Sequence, residues 1–367
     1  MKILYAGNIA NIGYTVAKEL RKNDLEIDLL MEKSPIVEQD PLKQDPDLQN
    51  SYPDWVKFYE KNQSGWKRKI IKLMKSYDIV ESQYEHNIFA YFARRPLISQ
   101  IVGDDLRELA FSNSLRGFLL RRAFGKAKAV LYTTPAELSL LSRLNIKNAL
   151  FLPLFVNLDF FKPIEVPRGD LADKLVVFHP SNLWHLKGNV TLIEGFAKFV
   201  KNNPGAVLIM IDRGPDSQTI HGLVTRLGIE KNTFFLKGPL DSATLRHYYN
   251  VADIIADQFV VPEIGGIGRE ALCCQKPLMT IFDEAGYEKT YGEIPPALNA
   301  TNSQEILERL EHLTDAKVRL ELGKRGREWV CKFHSLDLYS KKIAILYEGI
   351  QSGQKLDQIS ERMSKIS

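Results

Sequence analysis

Short apolar runs alternate with helix-period stretches twice along this chain, and that alternation restricts the fold more than any other feature. In the first half the runs fall at 2–6, 26–30, 79–82, 97–102, 129–132 and 149–152, separated by amphipathic stretches such as 16–22 and 115–124. In the second half, 175–179, 206–211, 233–236, 254–256 and 277–281 play the same part. Strands that alternate with helices predict parallel sheets covered on both faces. Right-handed crossovers then bring the C-terminal strand ends to one edge of each sheet, where ligands bind in such folds.

A chain of 367 residues is long for a single core, so two α/β domains are expected. The seam falls within 157–174, where Pro163, Pro167 and Gly169 interrupt the pattern before a new strand starts. The expected organisation is an N-terminal Rossmann-like domain over 1–160 and a second over 171–335. A helix over 336–352 is expected to return to the first domain, followed by a polar tail over 353–367. Helices are expected over 303–313, with Asn302 or Ser303 as cap, and over 317–333.

Three cysteines, two of them the adjacent Cys273 and Cys274, make neither a disulfide framework nor a zinc site. Both fall in an apolar helical run and are read as small buried hydrophobes. The N-terminal apolar run is short and reads as a strand rather than a signal peptide. No run approaches the ~20 apolar residues of a membrane span. The expected location is cytoplasmic. The formal charge of +4 carries no nucleic-acid motif with it, and no nucleic-acid partner is expected.

Two segments carry the chemistry. In DQFVVPEIGGIGREALCCQKP, 257–277, a strand ends, a loop bears Gly265, Gly266 and Gly268, and a helix follows. Free amides at such a helix start favour an anion. Glu270 sits one turn in, where a carboxylate accepts hydrogen bonds from vicinal ribose hydroxyls or, more modestly, complements the helix dipole. In HPSNLWHLKGNVTLIEGF, 179–196, a strand leads to a loop with Lys187 and Gly188 at the helix start. A lysine at the mouth of a parallel sheet can pair with a diphosphate as a point charge. Neither segment is a P-loop.

Together with MIDRGPD and KGPLDSATLRHYYNVADIIADQF, these segments resemble the C-terminal domain of GT-B glycosyltransferases, in particular the retaining glycosyltransferase family 4 (glycosyl transferases group 1). GNIANIGYTVAKEL and IVGDDLRELA resemble that family's N-terminal loops. The resemblance spans about residues 1–350 and is most specific around Glu270. It implies an α/β GT-B fold, two Rossmann-like doubly wound domains facing across a cleft, with C-terminal helices. It implies a hexosyltransferase that takes a UDP, GDP or ADP sugar to a glycan, lipid-linked or small-molecule acceptor, with retention. No metal and no cofactor are expected, the nucleotide sugar being a substrate.

On this resemblance Lys187 binds the donor diphosphate, the amides around Gly265, Gly266 and Ile267 bind phosphate or donor-sugar oxygens, and Glu270 holds the ribose. Lys237 to Leu240 touches the base. Gly7 and Asn8 border the diphosphate and acceptor, and Asp105 with Arg107 lines the acceptor side. Three positions depart from the family pattern. The first of the family's two glutamates falls on Pro262, leaving Glu263 as the candidate for the donor-sugar hydroxyls. Asn182 stands where an arginine is usual, with Arg213 able to replace the charge. Val102 stands where a histidine often precedes the Gly-x-Asp loop. His86, at a strand end, is a further acceptor candidate, whereas His179 and His185 read as ordinary loop or strand-end residues.

Residues 64–80 form a basic amphipathic stretch with Trp66, Ile70, Leu73 and Met74 among five cations, and 115–126 adds Arg116, Arg121, Arg122 and Lys126. Peripheral contact with the cytoplasmic face of a membrane is expected through these two stretches, against two ordinary solvated helices. Two other functional readings stay open. One is a catalytically degenerate GT-B scaffold that binds nucleotide or glycan. The other is an NAD-dependent oxidoreductase, although the loop from Gly7 to Gly13 lacks the middle glycine of G-x-G-x-x-G.

Overall fold

A computed structural model of the chain describes residues 1–48 and 50–366. Gln49, in the long 31–52 connection, and Ser367, the last residue of the expected tail, lie outside the described residues. The chain divides into two compact units, Met1–Leu154 with Leu336–Ser367, and Phe155–Ser335.

In the first unit β1 (Lys2–Ala6), β2 (Glu26–Glu32), β3 (Val56–Tyr59), β4 (Ile79–Gln83), β5 (Leu97–Gln100), β6 (Ala129–Tyr132) and β7 (Ala149–Phe151) form one parallel sheet in the order β3-β2-β1-β4-β5-β6-β7. In the second, β8 (Val176–His179), β9 (Val207–Asp212), β10 (Thr233–Lys237), β11 (Ile254–Ala256), β12 (Leu278–Thr280) and β13 (Leu298–Asn299) are ordered β10-β9-β8-β11-β12-β13. Both orders reverse direction beside their first strand, between β1 and β4 and between β8 and β11. At such a switch point two neighbouring loops diverge and leave a crevice.

The central strands are buried on both faces, so they read as continuous apolar runs, as in β8 with four buried residues. One face of the second sheet packs Leu192, Ile193 and Phe196 of the helix Asn189–Val200 against Ile306 and Leu310 of the helix Ser303–His312. Phe178, Tyr249, Leu272 and Trp329 fill the other. Cys273 and Cys274 are buried in this layer. Asn302 caps its helix, accepting from the Gln304 and Glu305 amides.

Four elements differ from, or add to, expectation. β3 and β13 are edge strands of four and two residues, too short to leave an apolar run in the sequence. The expected polar tail contains a helix, Leu356–Ser364, which buries Ile359 and Met363. Its apolar residues recur four apart, and it closes onto Gly349 of the helix Leu336–Gln351, where a Cβ would stand 2.5 Å from Ile359 Cγ1. Finally, the helix Trp66–Met74 turns its apolar side inward. Ile70 and Met74 are core residues and Trp66 and Leu73 pack against them, so these side chains belong to the packed core of the first unit.

The first unit also holds a buried polar contact between its two chain segments. Tyr5 and Glu81 are register partners on β1 and β4, and the Glu81 carboxylate accepts a hydrogen bond from the Tyr347 hydroxyl at 2.5 Å. Burial pushes the Glu81 carboxyl up to about 8, opposed by the Tyr347 bond. The helix Leu336–Gln351 is thereby tied to the first sheet. Among the described residues no helix is long and apolar enough to cross a membrane.

Candidate functional site

The switch point of the second unit gathers the main cluster. β8 ends at His179, and its loop reaches the turn His185–Lys187 before Gly188 starts the helix Asn189–Val200. Gly188 has φ +69°, and a Cβ there would lie 2.8 Å from Phe259 Cβ. Only glycine fits both the left-handed backbone and that approach. The approach lets the Phe259 amide donate to the Lys187 carbonyl at 3.0 Å, which locks the β8 loop to the β11 loop.

The same contact places the Lys187 ammonium, which donates to Gln258 Oε1 at 2.7 Å. Gln258 in turn donates through Nε2 to the Glu263 carbonyl at 2.9 Å, so one buried amide orders both the lysine and the start of the glycine loop. Asp257, fully enclosed, accepts from the Ser181 hydroxyl at 2.8 Å. Burial raises its carboxyl, offset by the Lys187 charge and the Ser181 bond. His179 supports the loop from beneath. Its Nδ1 bonds the Ala256 carbonyl at 2.8 Å, and its Nε2 meets Asn189 Nδ2 at 2.7 Å. A carbonyl only accepts, so the proton sits on Nδ1 and Nε2 is the acceptor. Burial pushes this imidazole down to about 4, and it stays neutral.

The glycine loop leads into the helix Gly266–Cys273, whose start no side chain caps. Its first amides, including Gly266 and Ile267, are therefore directed at whatever anion approaches. Glu270 follows one turn later and accepts from the Tyr249 hydroxyl at 2.8 Å. Burial raises the Glu270 carboxyl to about 7, against the opposing effects of Tyr249 and Arg269. Tyr249 lies 21 residues upstream on the helix Ser242–Val251 and reads in sequence as core. It is buried, yet its hydroxyl orients the carboxylate.

Arg213, Lys237 and Leu240 lie together at the neighbouring ends of β9 and β10, where Lys237 pairs in register with Asp212. A Cβ on Gly238 would stand 3.1 Å from Arg213 Cβ, which places that arginine beside the 237–240 stretch. Burial lowers the Arg213 guanidinium from its usual value. Asn182 is exposed, and its carbonyl accepts from Asn189. Glu263 enters the cluster through its backbone carbonyl.

In the first unit, the loops after β1 and β4 and the ends of β2 and β3 enclose a cavity of about 610 Å³. Gly7, Asn8 and His86 line it, together with Tyr59, Trp66 and Tyr84. Asn8 is held on both sides, accepting from the Tyr14 amide at 2.8 Å and donating to the Gln39 carbonyl at 2.7 Å. His86 is buried and bonded to the Gln83 backbone, and burial lowers its imidazole to about 4. Its Nε2 has no partner among the described residues. Asp105 and Arg107 lie elsewhere on this edge, after β5. Asp105 is fully buried, its Oδ1 accepting from the Val102 and Leu106 amides, so it holds its own loop rather than lining a surface. Burial pushes that carboxyl up to about 7. Arg107 stands 3.9 Å from Glu137 Oε1.

Sequence reasoning missed Tyr249 and the part played by Gln258. Only the Asp257-Gln258 pair at a strand end signalled the latter.

Comparison with known proteins adds the following. Residues 167–329 match the family model described as glycosyl transferases group 1. No curated protein matches the chain by sequence. Among solved structures, Anabaena Alr3699/HepE in complex with UDP-glucose is similar with a TM-score of 0.77 at 17% identity, covering 95% of this chain and 100% of that one. Sucrose-phosphate synthase from Thermosynechococcus elongatus gives 0.74 at 17%, covering 96% and 100%. WaaG, a glycosyltransferase involved in lipopolysaccharide biosynthesis, gives 0.67 at 13%, covering 94% and 99%.

Proposed function

We propose that this chain, which has the fold of GT-B glycosyltransferases and matches the glycosyl transferases group 1 model over residues 167–329, is a glycosyltransferase that moves a hexosyl group from a nucleoside-diphosphate sugar to a glycan or lipid-linked acceptor, with retention and without a metal. The observation that carries this reading is the pairing of Lys187, held by Gln258, with the uncapped start of the helix Gly266–Cys273 at one switch point.

The leaving group is a nucleoside diphosphate, so breaking the anomeric bond gathers negative charge on phosphate and positive charge on the sugar. Lys187 and the amides of Gly266 and Ile267 stabilise the first, and such preorganised donors act most strongly where charge develops. Glu270, oriented by Tyr249, accepts from the ribose hydroxyls. Arg213 and the Lys237 to Leu240 stretch face the base, and Glu263 receives the donor sugar. In the retaining mechanism the acceptor hydroxyl attacks the face the diphosphate leaves, and a departing phosphate oxygen takes its proton, so no side chain need act as base. Gly7, Asn8 and His86 receive the acceptor in the first unit.

Thermal shift against UDP, GDP and ADP, with and without EDTA, tests the donor half. UDP is the first nucleotide to try, since similar structures are complexes with UDP and UDP-glucose. A ligand at a hundredfold excess over its Kd stabilises the native state by about 2.7 kcal/mol. A shift lost in Glu270→Ala and insensitive to EDTA supports the reading. Nucleotide binding without sugar transfer or donor hydrolysis would instead favour a non-catalytic scaffold, a reading that the substitution of Pro262 for the family's first glutamate keeps in play.

A further inference from the structure

The first unit carries a surface that the donor chemistry does not use. The helices Trp66–Met74, His86–Ala93 and Leu115–Lys126 pack side by side on one face of its sheet. None of the three contains Asp or Glu. Their solvent side presents Lys67, Lys69 and Lys72 from the first and Arg116, Arg122 and Lys126 from the third. Between these cations stand large exposed apolar side chains: Phe92, whose ring meets Tyr91 edge-on, is 46% exposed, Leu115 73% and Phe118 45%. Leu115 and Phe118 are three apart and share a helix face, and the Arg122 guanidinium lies 5.2 Å from the Phe118 ring.

Cations alone would suit any polyanion. Cations interleaved with exposed Phe and Leu suit an interface that is anionic at its surface and apolar just beneath, which describes the headgroup layer of an anionic bilayer. The same helices open the cavity of about 610 Å³. Trp66 and Lys67 line it from the start of one helix, and Arg116 lines it from the start of another. Inside, Tyr59 and Trp66 stack with rings 11° apart, a flat apolar wall on which a sugar ring can lie.

Resting on the glycosyltransferase reading above, we infer that the acceptor is a lipid-anchored glycan. The three helices dock on an anionic membrane while the cavity beside them receives the sugar.

The test uses the full chain and vesicles of phosphatidylcholine alone or with about a third phosphatidylglycerol, with and without a polyprenyl-diphosphate-linked sugar. The inference expects flotation with the anionic vesicles only, reversed by about 0.5 M salt. The variant Lys69→Glu/Lys72→Glu/Arg122→Glu should bind them about tenfold more weakly or worse, while Phe118→Ser weakens binding without changing charge. In both variants the thermal shift with nucleotide should stay as in the parent, which separates a failed surface from a failed donor site. Transfer to the vesicle-borne sugar should exceed transfer to the same sugar cleaved from its lipid, and the charge-reversal variant should abolish the difference. Equal binding to neutral vesicles, no binding at low salt, equal use of the freed sugar, or equally tight binding to single-stranded nucleic acid would each overturn the inference.

Discussion

The Lys187 ammonium donates to the side-chain oxygen of Gln258 at 2.7 Å, so this cation is held by a neutral amide. A carboxylate in that place would neutralise it. An amide fixes its position and leaves its field for an incoming anion, which suits a group that must stabilise charge appearing on a phosphate.

Replacing Lys187 with Ala should therefore lower kcat by on the order of a hundredfold to a thousandfold. The melting temperature should stay close to the parent's, because the lysine side chain sits at the loop surface of the site. Steady-state kinetics with the nucleotide sugar that gives the largest thermal shift checks this. An unchanged kcat would remove Lys187 from the site.

Glu270 should make nucleotide binding depend on pH. Its carboxyl is raised to about 7 by burial, so it is largely protonated just below that value and becomes a full acceptor for two ribose hydroxyls above it. Calorimetric affinity should increase between about pH 6 and about pH 8, and Glu270→Gln should flatten the profile while weakening binding on its alkaline side. The stability sign is opposite. A carboxyl raised above its unfolded value favours the native state while protonated, and that contribution is lost as pH rises through 7. Glu270→Gln should accordingly melt higher than the parent at alkaline pH, a gain in stability at the expense of binding.

Gly188→Ala should damage both stability and turnover. The left-handed backbone costs a non-glycine residue about 1–2 kcal/mol, and the added Cβ would meet Phe259 at 2.8 Å. Relief of that contact must loosen the bond between the Phe259 amide and the Lys187 carbonyl. Urea denaturation should show the loss, and kcat should fall more than an equally destabilising change remote from the site.

The tie between Glu81 and Tyr347 should appear in the alkaline limb of stability. With Glu81 raised to about 8 from its usual 4.5, its contribution is complete below the lower value and is lost as pH rises through the upper one. Glu81→Gln should remove this slope. Tyr347→Phe strips the buried carboxyl of its hydroxyl partner and should cost about 1–3 kcal/mol, read from denaturation near neutral pH.

Much of the candidate site's local geometry was legible because its signals are local. A strand, a glycine loop and a helix start within about twenty residues of sequence fix Gly265, Gly266, Ile267 and Glu270, and a strand followed by Lys187-Gly188 does the same on the neighbouring loop. The glutamate's partner was not legible, since Tyr249 reaches Glu270 from a different helix and a tyrosine in an apolar run looks like core. Asp105 shows the converse. The family resemblance placed it on the acceptor side, and the loop folds its carboxyl inward onto the Val102 and Leu106 amides.

The sequence by itself determined the α/β class, the two sheets and the use of parallel strand ends, because hydrophobic periodicity is a property of neighbouring residues. Tertiary structure decided which face of each helix the solvent sees. Residues 64–75 have the same basic and apolar alternation whether they lie on a membrane or on a sheet, and only packing against β-strands shows Ile70 and Met74 turned inward and the lysines turned out. It likewise decided that the polar C-terminal stretch folds as the helix Leu356–Ser364, since two buried apolar residues suffice once Gly349 provides a groove for Ile359. Burial against a distant element leaves no trace in local pattern, and that is where the reading from sequence ended.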